Sequence, residues 1–243
     1  MRVTAFARRN YKELIRDPLT LFFGLGFPLV LLLMMNLIQR NVPVRIFELD
    51  TLAPGMALFG LTFLALFSGL LLARDRTSAF LARLTASPMT AADFLLGYLL
   101  PLLPLAVGQS IICLGAAVAL GLPVSWNLLA VVGALIPSAL LFIGLGLLCG
   151  ALFNDRQVGG ACGALLTNVT AWLAGIWFDL SLMGGGFKTF AYLLPFAHGA
   201  DGAKAALAGD WAALPGHLLW VCGWAAVVMA AAVRLFRWKM VEH

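Results

Sequence analysis

The sequence predicts an all-α membrane protein on two observations, apolar runs of spanning length and a composition that no soluble core absorbs. Six apolar stretches, Leu19–Ile38, Leu52–Ala73, Phe94–Leu120, Leu128–Phe153, Gly160–Phe178 and Leu218–Phe236, are near or above the length of about 20 residues that crosses a bilayer as a helix. The chain is 62% hydrophobic and 11% charged, with a mean hydropathy of +0.97, against roughly 25% charged in an ordinary soluble domain. In hydrocarbon every backbone polar group must be satisfied inside the protein, so each span is a helix or part of a closed barrel. The runs lack the period-two alternation of barrel strands, which leaves six helices in one membrane domain over residues 1–243.

Orientation follows from Lys and Arg. Arg2, Arg8, Arg9, Lys12, Arg16, Arg74, Arg76, Arg83, Arg156, Arg234, Arg237 and Lys239 fall on one side of a six-span chain, and only Arg40, Arg45, Lys188 and Lys204 on the other. The positive-inside rule therefore puts both termini in the cytoplasm, and the net charge of +5 reads as a topology signal rather than as a nucleic-acid-binding surface. The polar start, Met1–Asp17, does not suit the apolar core of a cleavable signal peptide.

That start is patterned as a helix. Val3, Phe6, Ala7, Asn10, Tyr11, Leu14 and Ile15 share one face, with Arg8, Arg9, Lys12, Glu13 and Arg16 opposite. Such an interfacial amphipathic helix is expected to lie on the inner leaflet, with Phe6, Tyr11, Leu14 and Ile15 toward lipid or a docking partner. Asp17-Pro18 breaks it, and Pro18 suits the first turn of the next helix.

The loop over residues 74–93 is too charged for hydrocarbon: Arg74, Asp75, Arg76, Arg83 and Asp93 would each cost about 2.5–3.5 kcal/mol there. Phe80, Leu81 and Leu84 form a short apolar stripe on a helix that Pro88 ends, suited to contact another protein or to turn back onto the bilayer. Thr90 and Asp93 then start the third span in the manner of a capping box.

Polar side chains within the spans are few: Asn36, Ser68, Gln109, Ser110, Ser138, Thr167, Asn168 and Thr170. Lipid offers them no hydrogen-bond partner, so they face another helix or a wet path. Asn36, Gln109, Thr167, Asn168 and Thr170 are the path-lining candidates. Gly146/Gly150 and Gly159/Gly163 have the GxxxG spacing of close helix approach. Cys113, Cys149, Cys162 and Cys222 form no CxxC or Cys/His pattern and read as small buried hydrophobes, with no metal or cofactor site.

The segment Asp179–Gly216 is long but sparsely charged, with a Gly184-Gly185-Gly186 break and an aromatic run from Phe187 to Phe196. Too apolar for a free loop and too short for spans, it predicts re-entrant or interfacial helices forming an outer gate, with Phe187, Phe190, Pro195, Phe196 and His198 as candidates. His198 and His217 read as structural or interfacial residues.

With these features in place the chain resembles the permease subunits of the type-2 ABC exporter family. Residues 9–22, Arg-Asn-Tyr-Lys-Glu-Leu-Ile-Arg-Asp-Pro-Leu-Thr-Leu-Phe, resemble its interfacial connecting helix. Arg83-Leu84 with Ser87-Pro88 and Gly97 resemble its coupling helix and restart, and Leu194-Pro195-Phe196 with His198 its outer segment before the last span. One departure is Ala79, where related coupling segments often carry Gly.

The resemblance implies a half-transporter in the bacterial cytoplasmic membrane that pairs with a second copy or a related chain. It also implies separate cytoplasmic ABC ATPase subunits holding ATP and Mg, with Arg76, Phe80, Leu81, Arg83, Leu84 and Pro88 as the ATPase-coupling residues. No GxxxxGK[ST] phosphate loop occurs in the sequence, so no ATP hydrolysis is expected of this chain itself. An amphiphilic, drug-like, lipid-like or peptide cargo is expected, with surface polysaccharide or lipid-linked glycan as the alternative. An intramembrane enzyme is disfavoured because no Asp, Glu or His lies deep in an apolar run, and a channel or ion-coupled carrier because neither buried charge nor internal repeat is evident.

Overall fold

The computed structural model describes residues 2–43, 46–76 and 90–241. The described residues form helices and no strand. They are α1 (Arg2–Arg16), α2 (Pro18–Asn41), α3 (Leu49–Arg76), α4 (Ala91–Ala119) and α5 (Asn127–Leu152). Next come α6, built of Asp155–Val158, Gly159–Leu166 and Thr167–Leu173, then α7 (Gly185–Leu193), α8 (Pro195–Ala208) and α9 (Leu214–Val241). Five helices have the length and apolar composition to cross a membrane: α2, α3, α4, α5 and α9.

The expected fifth span, Gly160–Phe178, is realised differently. Its helix starts at Asp155 and stops at Leu173, and Gly175 turns the chain with φ +62°, before a 3-10 turn at Leu180–Met183. The polar start Asp155-Arg156-Gln157 and the early stop leave α6 less apolar than its neighbours.

Local chemistry explains several boundaries. Asp17 caps α2, accepting from Leu19 N–H, with Pro18 in the first turn where no N–H is missed. Thr90 and Asp93 cap α4 reciprocally, as their spacing predicts. Two π-helical segments, Phe22–Gly26 and Gly159–Leu166, widen α2 and α6. In α2, Pro28 removes the N–H that Gly24 O would accept, and Phe27 N–H bonds back to Phe22 O. In α6 the Thr167 hydroxyl donates to Cys162 O at 3.0 Å, satisfying a carbonyl of the widened turn.

α3 is the axis of the bundle. Almost every residue from Leu52 to Ala73 is buried, and α4, α5, α8, α2 and α6 pack around it. Its tightest partner is α5, because glycines let the backbones meet: a Cβ on Gly146 would press into Ala65 O, and one on Gly150 would lie 2.5 Å from Gly69 O. Ser68 Oγ donates to Ile143 O at 3.1 Å across the same seam. Of the two GxxxG spacings, Gly146/Gly150 makes this contact, whereas Gly163 only touches Leu66 and Gly159 faces open space.

α1 does not rest on lipid alone. It packs along α4, burying Phe6, Asn10 and Leu14 and leaving Tyr11 and Ile15 exposed. At the other end α8 lies against α3, α5 and α9 through Ala197, Ala200, Ala203 and Ala206, whose small side chains permit that insertion. Cys113 and Cys162 are buried and Cys149 half-buried, but Cys222 on α9 is exposed.

Candidate functional site

The strongest polar arrangement sits where α3 ends and α4 begins, on the two flanks of residues 77–89. Phe6 on α1 packs against Gly97, where any Cβ would collide with its ring, and meets Tyr98 and Phe94 edge-on at 5.0 and 6.1 Å. One turn on, Asn10 donates to Gly97 O at 3.0 Å. Arg9 then reaches across to the last turn of α3, donating to Asp75 Oδ2 at 2.7 Å and Oδ1 at 3.0 Å. Asp75 also accepts from Tyr98 OH at 2.9 Å, and Arg9 pairs with Glu13 at 3.0 Å.

Asp75 is buried at 4% exposure, where a carboxylate without hydrogen-bond donors would be costly, and these donors meet that need. A two-pronged guanidinium on a carboxylate fixes orientation as well as distance. The junction thus locks α1 to both flanks of the 77–89 segment.

Two further contacts tie that end together. Arg76 Nη1 donates to Gly150 O at 2.8 Å and to Ala151 O, covering carbonyls that α5 leaves free at its C-terminus. Arg74 approaches Asp155 at 3.7 Å, a half-exposed pair worth little by itself. Arg76, one of the ATPase-coupling candidates, is therefore committed to α5. Phe80, Leu81, Arg83, Leu84 and Pro88 lie outside the described residues.

The path-lining candidates separate. Asn36, Gln109, Thr167 and Thr170 are buried within the bundle, and only Asn168 is exposed. Gln109 is wedged against Gly60 and Pro28. Asn168 Nδ2 donates to Ala164 O at 2.8 Å, one turn back on its own helix, and the residue is exposed, as are Leu165 and Trp172. On α6, sequence pattern cannot make this separation, because Thr167, Asn168 and Thr170 lie within four residues of one another.

At the opposite end, the aromatic gate candidates are not brought together. Pro195 and Phe196 are buried, with Phe196 stacked on Phe142 at 5.9 Å, whereas Phe187 is half-buried and Phe190 exposed. A polar cluster forms instead: Tyr192 OH donates to Asp201, Lys204 lies 3.4 Å from Asp201, and His198 meets His217. Burial, the Asp201 hydrogen bond and its charge together push the Tyr192 phenol up. Tyr192, Asp201 and Lys204 border a cavity of about 760 Å³ lined also by Glu48, Asp179 and Lys188. Asp179 accepts from Ser181 N–H, and that bond, aided by Lys204 and Lys188, holds its carboxyl below the usual range.

Asp75, Tyr98, Asn10 and Gly97 escaped the sequence reading as site residues, although a polar Asn10 on the apolar face of α1 and an acid at the end of an apolar run were the available signals. Among the described residues no group of three or more His, Cys, Asp or Glu could hold a metal.

No curated protein matches the chain. The family model described as ABC-2 type transporter matches residues 1–207, which takes in α1, the Arg9–Asp75–Tyr98 junction, the flanks of the 77–89 segment, α6 and nearly all of α8. The helical bundle is thus matched over most of its length, and the chain belongs to the ABC-2 type transporter family as a multi-pass membrane subunit of an ABC transporter.

Proposed function

We propose that this chain is the membrane subunit of an ATP-driven exporter, with six spans, both termini in the bacterial cytoplasm, and separate ABC ATPase subunits docked on residues 77–89. The carrying observation is the Arg9–Asp75–Tyr98 junction. A push on the loop reaches α1, α3 and α4 together because all three meet at one buried carboxylate. Phe80, Leu81, Arg83 and Leu84 are the proposed docking residues, and Arg76 anchors the loop's base to α5. Six spans require α6 to cross as well, at about 28 Å for the 19 residues from Asp155 to Leu173, close to the hydrocarbon thickness of about 30 Å. The proposed cargo is amphiphilic, drug-like, lipid-like or peptide in character.

Purified alone, the chain is expected to hydrolyse no ATP, and to support turnover only with its partner ATPase. ATP and Mg belong to that partner in this reading. Vanadate-sensitive hydrolysis by the clean single subunit would overturn it.

A second copy of this chain, or a related one, is proposed to face α6. An outward amide at mid-helix is costly against lipid and favourable against a wet path or another polar surface. With the four native cysteines replaced by alanine or serine, Asn168→Cys should react with a membrane-impermeant, water-soluble maleimide in the assembled transporter. Leu129→Cys, exposed on α5, should not. Equal lack of reaction at both positions would remove Asn168 from the path.

A further inference from the structure

At the end of the bundle opposite Asp75, α8 starts at Pro195 and brings His198 onto the side covered by α9. His198 Nδ1 lies 2.9 Å from His217 Nδ1, and His198 Nε2 lies 3.1 Å from Tyr192 O. The ring of His198 also lies 5.3 Å from the Tyr192 ring and 5.5 Å from that of Trp220 on α9. One side chain therefore joins α7, α8 and α9.

The hydrogens follow from the partners. A carbonyl only accepts, so His198 Nε2 carries a hydrogen. Between the two Nδ1 atoms there is room for one hydrogen and no more. In the neutral pair His217 Nδ1–H donates to the bare Nδ1 of His198. With one added proton the hydrogen can belong to His198 and His217 accepts, so the contact survives. With two added protons both Nδ1 atoms bear hydrogens and both rings are cationic, and the contact must open.

The charged surroundings do not rescue the doubly charged pair. Asp201, on the same helix, favours the cation but is shared with Tyr192 OH and Lys204. Glu48, Asp179 and Lys188 line the neighbouring cavity. α5 and α3 meet α8 through Phe142, Ser138 and Leu58, none of them charged. Burial pulls the His198 imidazole below its usual value, reinforced by the charge of His217 and opposed by the Tyr192 carbonyl and Asp201.

We propose that His198 and His217 form an acid-released latch that pins the helix pair α7–α8 to the start of α9, holding while the pair carries at most one added proton and opening when both rings are protonated. The sign is fixed by proton counting: the open state takes up two protons and the closed state one. Latch stability is thus fully present above the ordinary histidine value of about 6.5 and falls by up to about tenfold per pH unit below it. Between pH 7.5 and pH 5 the closed-to-open ratio should fall about 30-fold. This goes beyond the transport reading, since it concerns a gating element rather than cargo or motor.

Amide hydrogen exchange over residues 185–208 of the full chain in lipid nanodiscs, corrected for intrinsic rates, measures it. The wild type should lose about 30-fold of its protection between pH 7.5 and pH 5. His198→Gln should lose little, because a glutamine amide donates to Tyr192 O while its oxygen accepts from His217 in either charge state. Unchanged wild-type protection, or equal loss in both proteins, overturns the latch. Should the variant not fold, 15N spectra of the wild type decide, because the chain has only 3 histidines. One proton of the His198–His217 pair should bind at clearly lower pH than that of His243, and independent titration of all three rings refutes the proposal. The readout requires neither cargo nor ATPase, so its failure and that of the transport reading are separable.

Discussion

Gly146→Leu should leave the chain largely unable to hold its fold, with a stability loss of about 4 kcal/mol, roughly a thousandfold in the folded-to-unfolded ratio. A Cβ at residue 146 runs into the Ala65 carbonyl, which is backbone and cannot rotate aside. α3 and α5 must separate, opening the Gly150–Gly69 contact and the Ser68–Ile143 hydrogen bond on the same seam. Leucine's better helix propensity, about 1 kcal/mol over glycine, is too small to offset this. Gly133 on the same helix has nothing within 4 Å of its would-be Cβ, and Gly133→Leu is the matched control. Thermal unfolding of both variants in the same detergent should show a large drop for Gly146→Leu and none for Gly133→Leu. Similar curves would mean that the seam is not a backbone contact.

The second large effect is expected at Asp75. Asp75→Ala strips the acceptor from the buried Tyr98 hydroxyl and from both prongs of Arg9. Breaking a buried ion pair costs about 3–5 kcal/mol. Arg9 is 38% exposed and keeps Glu13, so water and that carboxylate recover part of the loss and about 3 kcal/mol is expected. Arg9→Met in the Asp75→Ala background should then cost little more, because the buried carboxylate it paired with is already gone and its remaining pair with Glu13 is half-exposed. Melting temperatures of the single and double variants test this as a double-mutant cycle. Full additivity of the two substitutions would show that Arg9 and Asp75 do not act as a unit. In the transport reading the same Asp75→Ala chain, where it folds, should bind its ATPase normally yet couple hydrolysis to export poorly. The loop would remain while its link to α1 and α4 is cut.

Much of this was legible before any coordinates. Hydrocarbon permits few solutions, so long apolar runs name the class and the approximate spans, and the ends of α3, α4 and α5 fall within about three residues of the runs that announce them. Caps are equally legible because they act within a turn: Asp17-Pro18 and Thr90/Asp93 do locally what their spacing says. The residues of the π segments were visible too, but not their effect, since a widened turn depends on what packs beside it.

What the sequence by itself determined, then, is the class, the order of helices, the amphipathic start and the family resemblance. Periodicity and composition are properties of neighbours along a chain. The tertiary structure alone decided the partners. The apolar face of α1 was plain, but that its Phe6, Asn10 and Leu14 side packs on α4 depends on Gly97 leaving room for Phe6, a glycine 91 residues away. Five polar residues stood as path candidates, with Asn168, Thr167 and Thr170 foremost, and packing buries four of the five and leaves Asn168 exposed. Arg9 and Asp75, 66 residues apart, and His198 and His217, 19 apart, carry no mutual signal in sequence. A charge or a ring acquires its role from the group that three-dimensional packing sets against it, and in a membrane, where water cannot substitute for a missing partner, that placement decides which polar residues are structural and which remain available for function.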